Sequence, residues 1–139
     1  MHMILLAEDN PADVDLIREA LREHRVECTV RVAADGQDVL RIISGEGERA
    51  TRFGLIILDL NLPRHDGIEI LKQLRESSWL AHVPVVVFTS SDSPKDRNMA
   101  TSLGATRCLR KPSNLDQFLA LGSVFKELLK AGKGVSHED

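Results

Sequence analysis

Five short apolar runs, residues 3–7, 28–33, 55–58, 83–88 and 107–109, alternate with stretches of helical periodicity. That alternation marks repeated βα units and a parallel sheet. The third and fourth runs, Leu55-Ile56-Ile57-Leu58 and Val83-Pro84-Val85-Val86-Val87-Phe88, are almost continuously apolar, as central strands covered on both faces must be. Between the runs, Val14, Ile17 and Leu21 share one helical stripe; Val39, Leu40 and Ile43 mark a second, and Ile68, Leu71 and Leu74 a third. The segment after Pro94 carries only Met99, Ala100 and Leu103 before Gly104, which predicts the most weakly packed helix. Residues 114–130 predict one last helix whose apolar arc exceeds a single core face. Its surplus, Leu121, Val124 and Leu128, predicts a face for a partner or a second copy of the chain. The polar, glycine-bearing residues 132–139 read as a loose tail after one domain over residues 1–131.

Composition narrows the function classes. The 139 residues carry 18 Lys and Arg against 21 Asp and Glu, a net charge of −3, so a general nucleic-acid binder is not expected. The two cysteines, Cys28 and Cys108, lack ligand spacing and read as free, buried strand thiols in a reducing compartment. The first residues have neither a basic start nor an apolar stretch long enough for a signal peptide or membrane span, so a cytoplasmic location is expected.

In an open parallel sheet, chemistry gathers beyond the carboxyl ends of the strands. Glu8 and Asp9 follow the first run, Asp59 the third, Thr89 and Ser90 the fourth, and Lys111 the fifth. Three convergent carboxylates repel one another unless a cation sits among them, and oxygen donors without His or Cys select a hard ion such as Mg²⁺. A carboxylate beside such an ion can attack phosphorus, and the ammonium and hydroxyl can then hold the transferred group.

On these residues the sequence resembles the receiver domains of two-component response regulators. The match runs through Ala7-Glu8-Asp9-Asn10, Leu58-Asp59-Leu60-Asn61-Leu62-Pro63 with Asp66-Gly67, Phe88-Thr89-Ser90, and Leu109-Arg110-Lys111-Pro112. The resemblance implies a flavodoxin-like, doubly wound (βα)₅ fold with strand order 2-1-3-4-5. It implies Asp59 as phosphoacceptor, Mg²⁺ or Mn²⁺ held by Glu8, Asp9, Asp59 and the Asn61 backbone carbonyl, and Thr89, Ser90 and Lys111 as phosphoryl-binding and switch residues. It also implies a sensor histidine kinase as partner, with no separate substrate. Glu8-Asp9-Asn10-Pro11-Ala12-Asp13 and Thr89-Ser90-Ser91-Asp92 look like the stand-alone regulators paired with bacterial phytochromes.

Two positions depart from the pattern. Cys108 stands where receivers usually carry the aromatic of the switch, so output would pass through the Thr89 loop and the helix after Pro94, or through a changed dimer. His65 stands where many members carry Met and reads as a solvated loop residue that would make the chemistry pH-sensitive only by facing the metal. Three other functions compete: a phosphate-independent interaction module, a small Asp-nucleophile phosphatase and an FMN binder. The phosphatase lacks a second carboxylate at Asn61, and the FMN binder lacks tyrosine and has acidic strand ends.

Overall fold

The computed structural model describes residues 2–45, 52–91 and 93–137, with side chains as far as residue 130. Asp92, at the end of the Thr89 motif, and the last two residues of the expected tail lie outside the described residues. The chain runs β1 (His2–Ala7), α1 (Pro11–Glu23), β2 (Cys28–Ala33), α2 (Gly36–Ile43), β3 (Phe53–Leu58), α3 (Gly67–Glu76), β4 (Val85–Thr89), α4 (Pro94–Ser102), β5 (Arg107–Arg110), α5 (Leu115–Ala120) and α6 (Gly122–His137). All strand pairs are parallel, in the order β2-β1-β3-β4-β5. This is the doubly wound, flavodoxin-like sheet expected from the sequence.

Period-2 alternation divides the core between the two faces of the sheet. Ile4, Leu6, Leu55, Ile57, Val86 and Phe88 pack under α1, α5 and α6. Leu5, Ala7, Ile56, Leu58, Val85 and Val87 pack under α2, α3 and α4. Every residue of β4 is buried, whereas the edge strands β2 and β5 are largely half-exposed. The continuously apolar runs are therefore the interior strands. Cys28 and Cys108 are free strand thiols, but lying on those edge strands they are half-buried rather than buried.

Each of the first five helices opens on a short polar side chain that accepts from its first turn: Asn10, Asp35, Asp66, Ser93 and Asn114. These caps fix where the chain leaves each strand end, and so where the residues between strand and helix point. At the first of them, Asn10 Oδ1 accepts from the amides of Ala12 (2.9 Å) and Asp13 (3.4 Å), which sets Asp13 in the opening turn of α1.

The last helix departs from expectation twice. The segment expected as one helix is broken at Leu121, where 3₁₀-type bonds tighten the turn. Gly122 lies against the Ala20 carbonyl and the His24 ring at the end of α1, leaving no space for a Cβ. His24 Nε2 lies 3.1 Å from the Leu119 carbonyl, close enough to bond the acceptor that the break leaves without its helical donor. The backbone then stays helical through His137, so the segment expected as a loose tail begins as helix.

The expected partner face is also redirected inward. Leu128 is only 9% exposed, and Leu121 and Val124 are half-buried against the same cluster, because the break turns them toward α1 and the sheet. Among the described residues the exposed large apolar side chains are instead Met99 on α4 and Leu115 on α5. As its composition predicts, α4 buries one residue, Ala100.

Candidate phosphoacceptor and metal site

Buried polar side chains are informative because burial is costly for them unless they are paired. Among the described residues Glu8 (2% exposed), Asp59 (5%) and Thr89 (8%) are buried, and all three stand at the carboxyl ends of β1, β3 and β4. Carboxylate oxygens of Glu8, Asp9 and Asp59 lie within 4.8 Å of one another, with Asp9 exposed at the rim. The sheet thus brings together the three carboxylates that the sequence placed at successive strand ends.

Lys111, carried in from the end of β5, supplies the counter-charge. Its Nζ lies 2.7 Å from Glu8 Oε1, 2.8 Å from Asp13 Oδ2 and 2.9 Å from Asp59 Oδ2. The contacts to Asp13 and Asp59 are hydrogen bonds, whereas Glu8 Oε1, though close, is a buried oxygen without a hydrogen bond of good geometry. The ammonium also stands 5.8 Å from the centre of the Phe88 ring, a cation–π contact at the floor of the site. Burial disfavours the charged lysine, but its close contacts with the Asp13, Glu8 and Asp59 carboxylates outweigh this and raise its pKa above the ordinary lysine value.

Burial dominates at Glu8 and lifts its pKa from 4.5 to about 7; the nearby Asp59 charge adds to the rise, and Lys111 opposes it. Asp59 is gripped from both sides, its Oδ1 accepting from the Asn61 amide at 2.9 Å and its Oδ2 from Lys111. Thr89 Oγ1 accepts from Asn61 Nδ2 and from the Ser91 amide, both at 3.1 Å. Its own O–H is left as a donor. Ser90 is exposed beyond Thr89.

The donor set suits a hard divalent ion: three clustered carboxylates, all oxygen, one of them with a buried oxygen lacking a directed partner. His65 takes no part. It is exposed and packs its ring over Gly36 at the start of α2. Cys108 faces α4, with Sγ 3.8 Å from Thr101 Oγ1 and 3.9 Å from the Arg97 carbonyl. A small void is bordered by Thr89, Asp96 and Cys108.

The spacing of the motifs did not single out Asp13 as a member of this site. A signal was present, since a carboxylate in the first turn of a capped helix that starts at the strand ends must lie near them.

Comparison with known proteins agrees with this geometry. The sequence matches the response regulator receiver domain over residues 4–121. It is 33% identical to the response regulator Rcp1 of Synechocystis over 96% of this chain and 85% of that protein. Among solved structures it resembles the phosphorylated cyanobacterial phytochrome response regulator RcpA, with a TM-score of 0.83, 36% identity and coverage of 93% and 94% of the two chains. It also resembles the Mn²⁺-bound form of Rcp1, with a TM-score of 0.82, 31% identity and coverage of 91% and 92%. Fold, buried site and match along the chain agree: the protein belongs to the family of response regulator receiver domains.

Proposed function

We propose that this receiver accepts a phosphoryl group on Asp59 from a sensor histidine kinase, in a Mg²⁺-dependent reaction, within a domain bounded at about residue 131. The observation that carries the reading is the buried Asp59 carboxylate, 2.9 Å from the Lys111 ammonium and clustered with Glu8 and Asp9. An Asp59 oxygen attacks phosphorus, an acyl phosphate bond forms, and the bond from phosphorus to the donor's nitrogen breaks as the imidazole leaves. Glu8, Asp9, Asp59 and the Asn61 carbonyl would hold the divalent ion, which when bound offsets the charge on the phosphoryl oxygens. Lys111 pairs with one phosphoryl oxygen, and the free Thr89 O–H turns to donate to another. The added charge and acceptors then bias the Thr89 loop between two arrangements.

With Cys108 in place of a ring, the change passes through the Thr89 loop to α4. The Ser91 amide bonds Thr89, and Ser91 Oγ lies 3.3 Å from Asp96 Oδ2 on the first turn of α4. The likeness to RcpA and Rcp1 supports a phytochrome-type kinase as donor.

The test is intact mass after incubation with acetyl phosphate and Mg²⁺. One added phosphoryl group is expected in the wild type, and none in Asp59→Asn or with EDTA. A wild type that stays unmodified under acetyl phosphate and under a cognate kinase would leave a phosphate-independent interaction module.

A further inference from the structure

Lys111 is held by more carboxylate than the phosphoacceptor reaction uses. An ammonium has three N–H donors, and here its directed bonds go to Asp13 and Asp59 while Glu8 Oε1 lies 2.7 Å away. Glu8 and Asp59 belong to the metal-ready cluster, and a divalent ion among them would take over much of the charge they offer the lysine. Asp13 lies outside that cluster, on α1, so its charge is not among those a metal ion there would neutralise. Its grip is also rigid. Asn10 Oδ1 accepts from the Ala12 and Asp13 amides and so fixes the backbone that carries Asp13, and the Phe88 ring lies 5.8 Å from the ammonium.

Resting on the phosphoacceptor reading above, we propose that Asp13 is a positioning residue that competes with the incoming phosphoryl group for Lys111 and so restrains phosphorylation of Asp59. Two physical effects act in the same direction. The Asp13 carboxylate occupies a donor that a phosphoryl oxygen needs, and its negative charge stands close to where an anionic donor must approach. The side chain is only partly screened, the pair being 11% and 19% exposed, so the effect is that of one charged contact near the protein surface.

The experiment compares wild type, Asp13→Asn and Asp13→Glu by intact-mass time courses with acetyl phosphate at saturating Mg²⁺. Asp13→Asn, which keeps the shape and loses the charge, should label about threefold to fivefold faster, and Asp13→Glu should return toward the wild-type rate. A second readout is independent of phosphorylation. In the metal-free protein, the ¹⁵N-labelled Lys111 ammonium, identified by its loss in Lys111→Arg, should exchange its protons slowly in wild type and Asp13→Glu and faster in Asp13→Asn. An Asp13→Asn rate equal to or below wild type, or an unchanged ammonium resonance, overturns the proposal. A wild type that takes no phosphoryl group overturns the phosphoacceptor reading and this one with it, whereas a labelled wild type matched by Asp13→Asn sinks only the role of Asp13.

Discussion

Two regions flank the site and are built differently. Beneath Lys111, α1, α5 and α6 close over Phe88, whose ring meets Phe118 edge-on at 5.4 Å and Phe125 at 6.3 Å. Beside Thr89, α4 contributes one buried residue, Ala100, and is tied to the site by the polar chain Thr89–Ser91–Asp96. The aromatic side supports the residues that must stay still, Asp13 and Lys111. The α4 side holds Thr89 by single hydrogen bonds, each worth about 1 kcal/mol net, so it can rearrange at small cost. The site thus joins a fixed wall that positions charge to a soft wall able to answer it.

The sharpest way to break this contrast is to empty one wall and then the other. Phe125→Ala, at a fully buried position, should destabilise the protein by about 3–5 kcal/mol in a denaturant titration. Met99→Ala on α4, where the side chain is 43% exposed, should stay within about 0.5 kcal/mol of wild type. Equal losses would remove the distinction.

A smaller effect is expected where α6 meets α1. Gly122→Ala forces a Cβ against the Ala20 carbonyl and the His24 ring, and overpacking of this kind costs about 1–3 kcal/mol. The same variant should leave labelling of Asp59 by acetyl phosphate in place wherever the protein is folded.

A further predicted change is a pH dependence of the metal-free protein. The folded-state pKa of Glu8, about 7, lies above its unfolded value of 4.5, so the folded chain binds this proton more tightly. The stabilisation is complete below the unfolded value and is lost as pH rises through about 7. Thermal melts without metal should therefore show Tm falling between pH 5 and 8 more steeply in wild type than in Glu8→Gln, and added Mg²⁺ should oppose the fall.

Much of this arrangement was legible in the sequence because it rests on local rules. The runs at 55–58 and 83–88 are apolar on both faces because both faces are covered, and the residues after each strand converge because parallel strands end at one edge. What escaped depended on how elements approach one another. The apolar spacing runs without interruption through Leu121, so the one local mark of the break is Gly122, and its close approach to Ala20 is visible only in the fold. A helical wheel likewise counts apolar positions without knowing which arcs α1 covers, which is why Leu128 read as a partner surface and is buried. Asp13 was masked by its ordinary place in a helix's first turn, where an acidic residue already suits the dipole.

The measurement that tests the two-wall account most directly is hydrogen exchange, followed by mass spectrometry, on the protein with and without Mg²⁺ and acetyl phosphate. The account predicts that phosphorylation changes amide protection in the Thr89 loop and α4, residues 89–102, and leaves α1 and the first turns of α6 unchanged. Changes concentrated in α1 and α6, with the Thr89 loop and α4 unaltered, would contradict it.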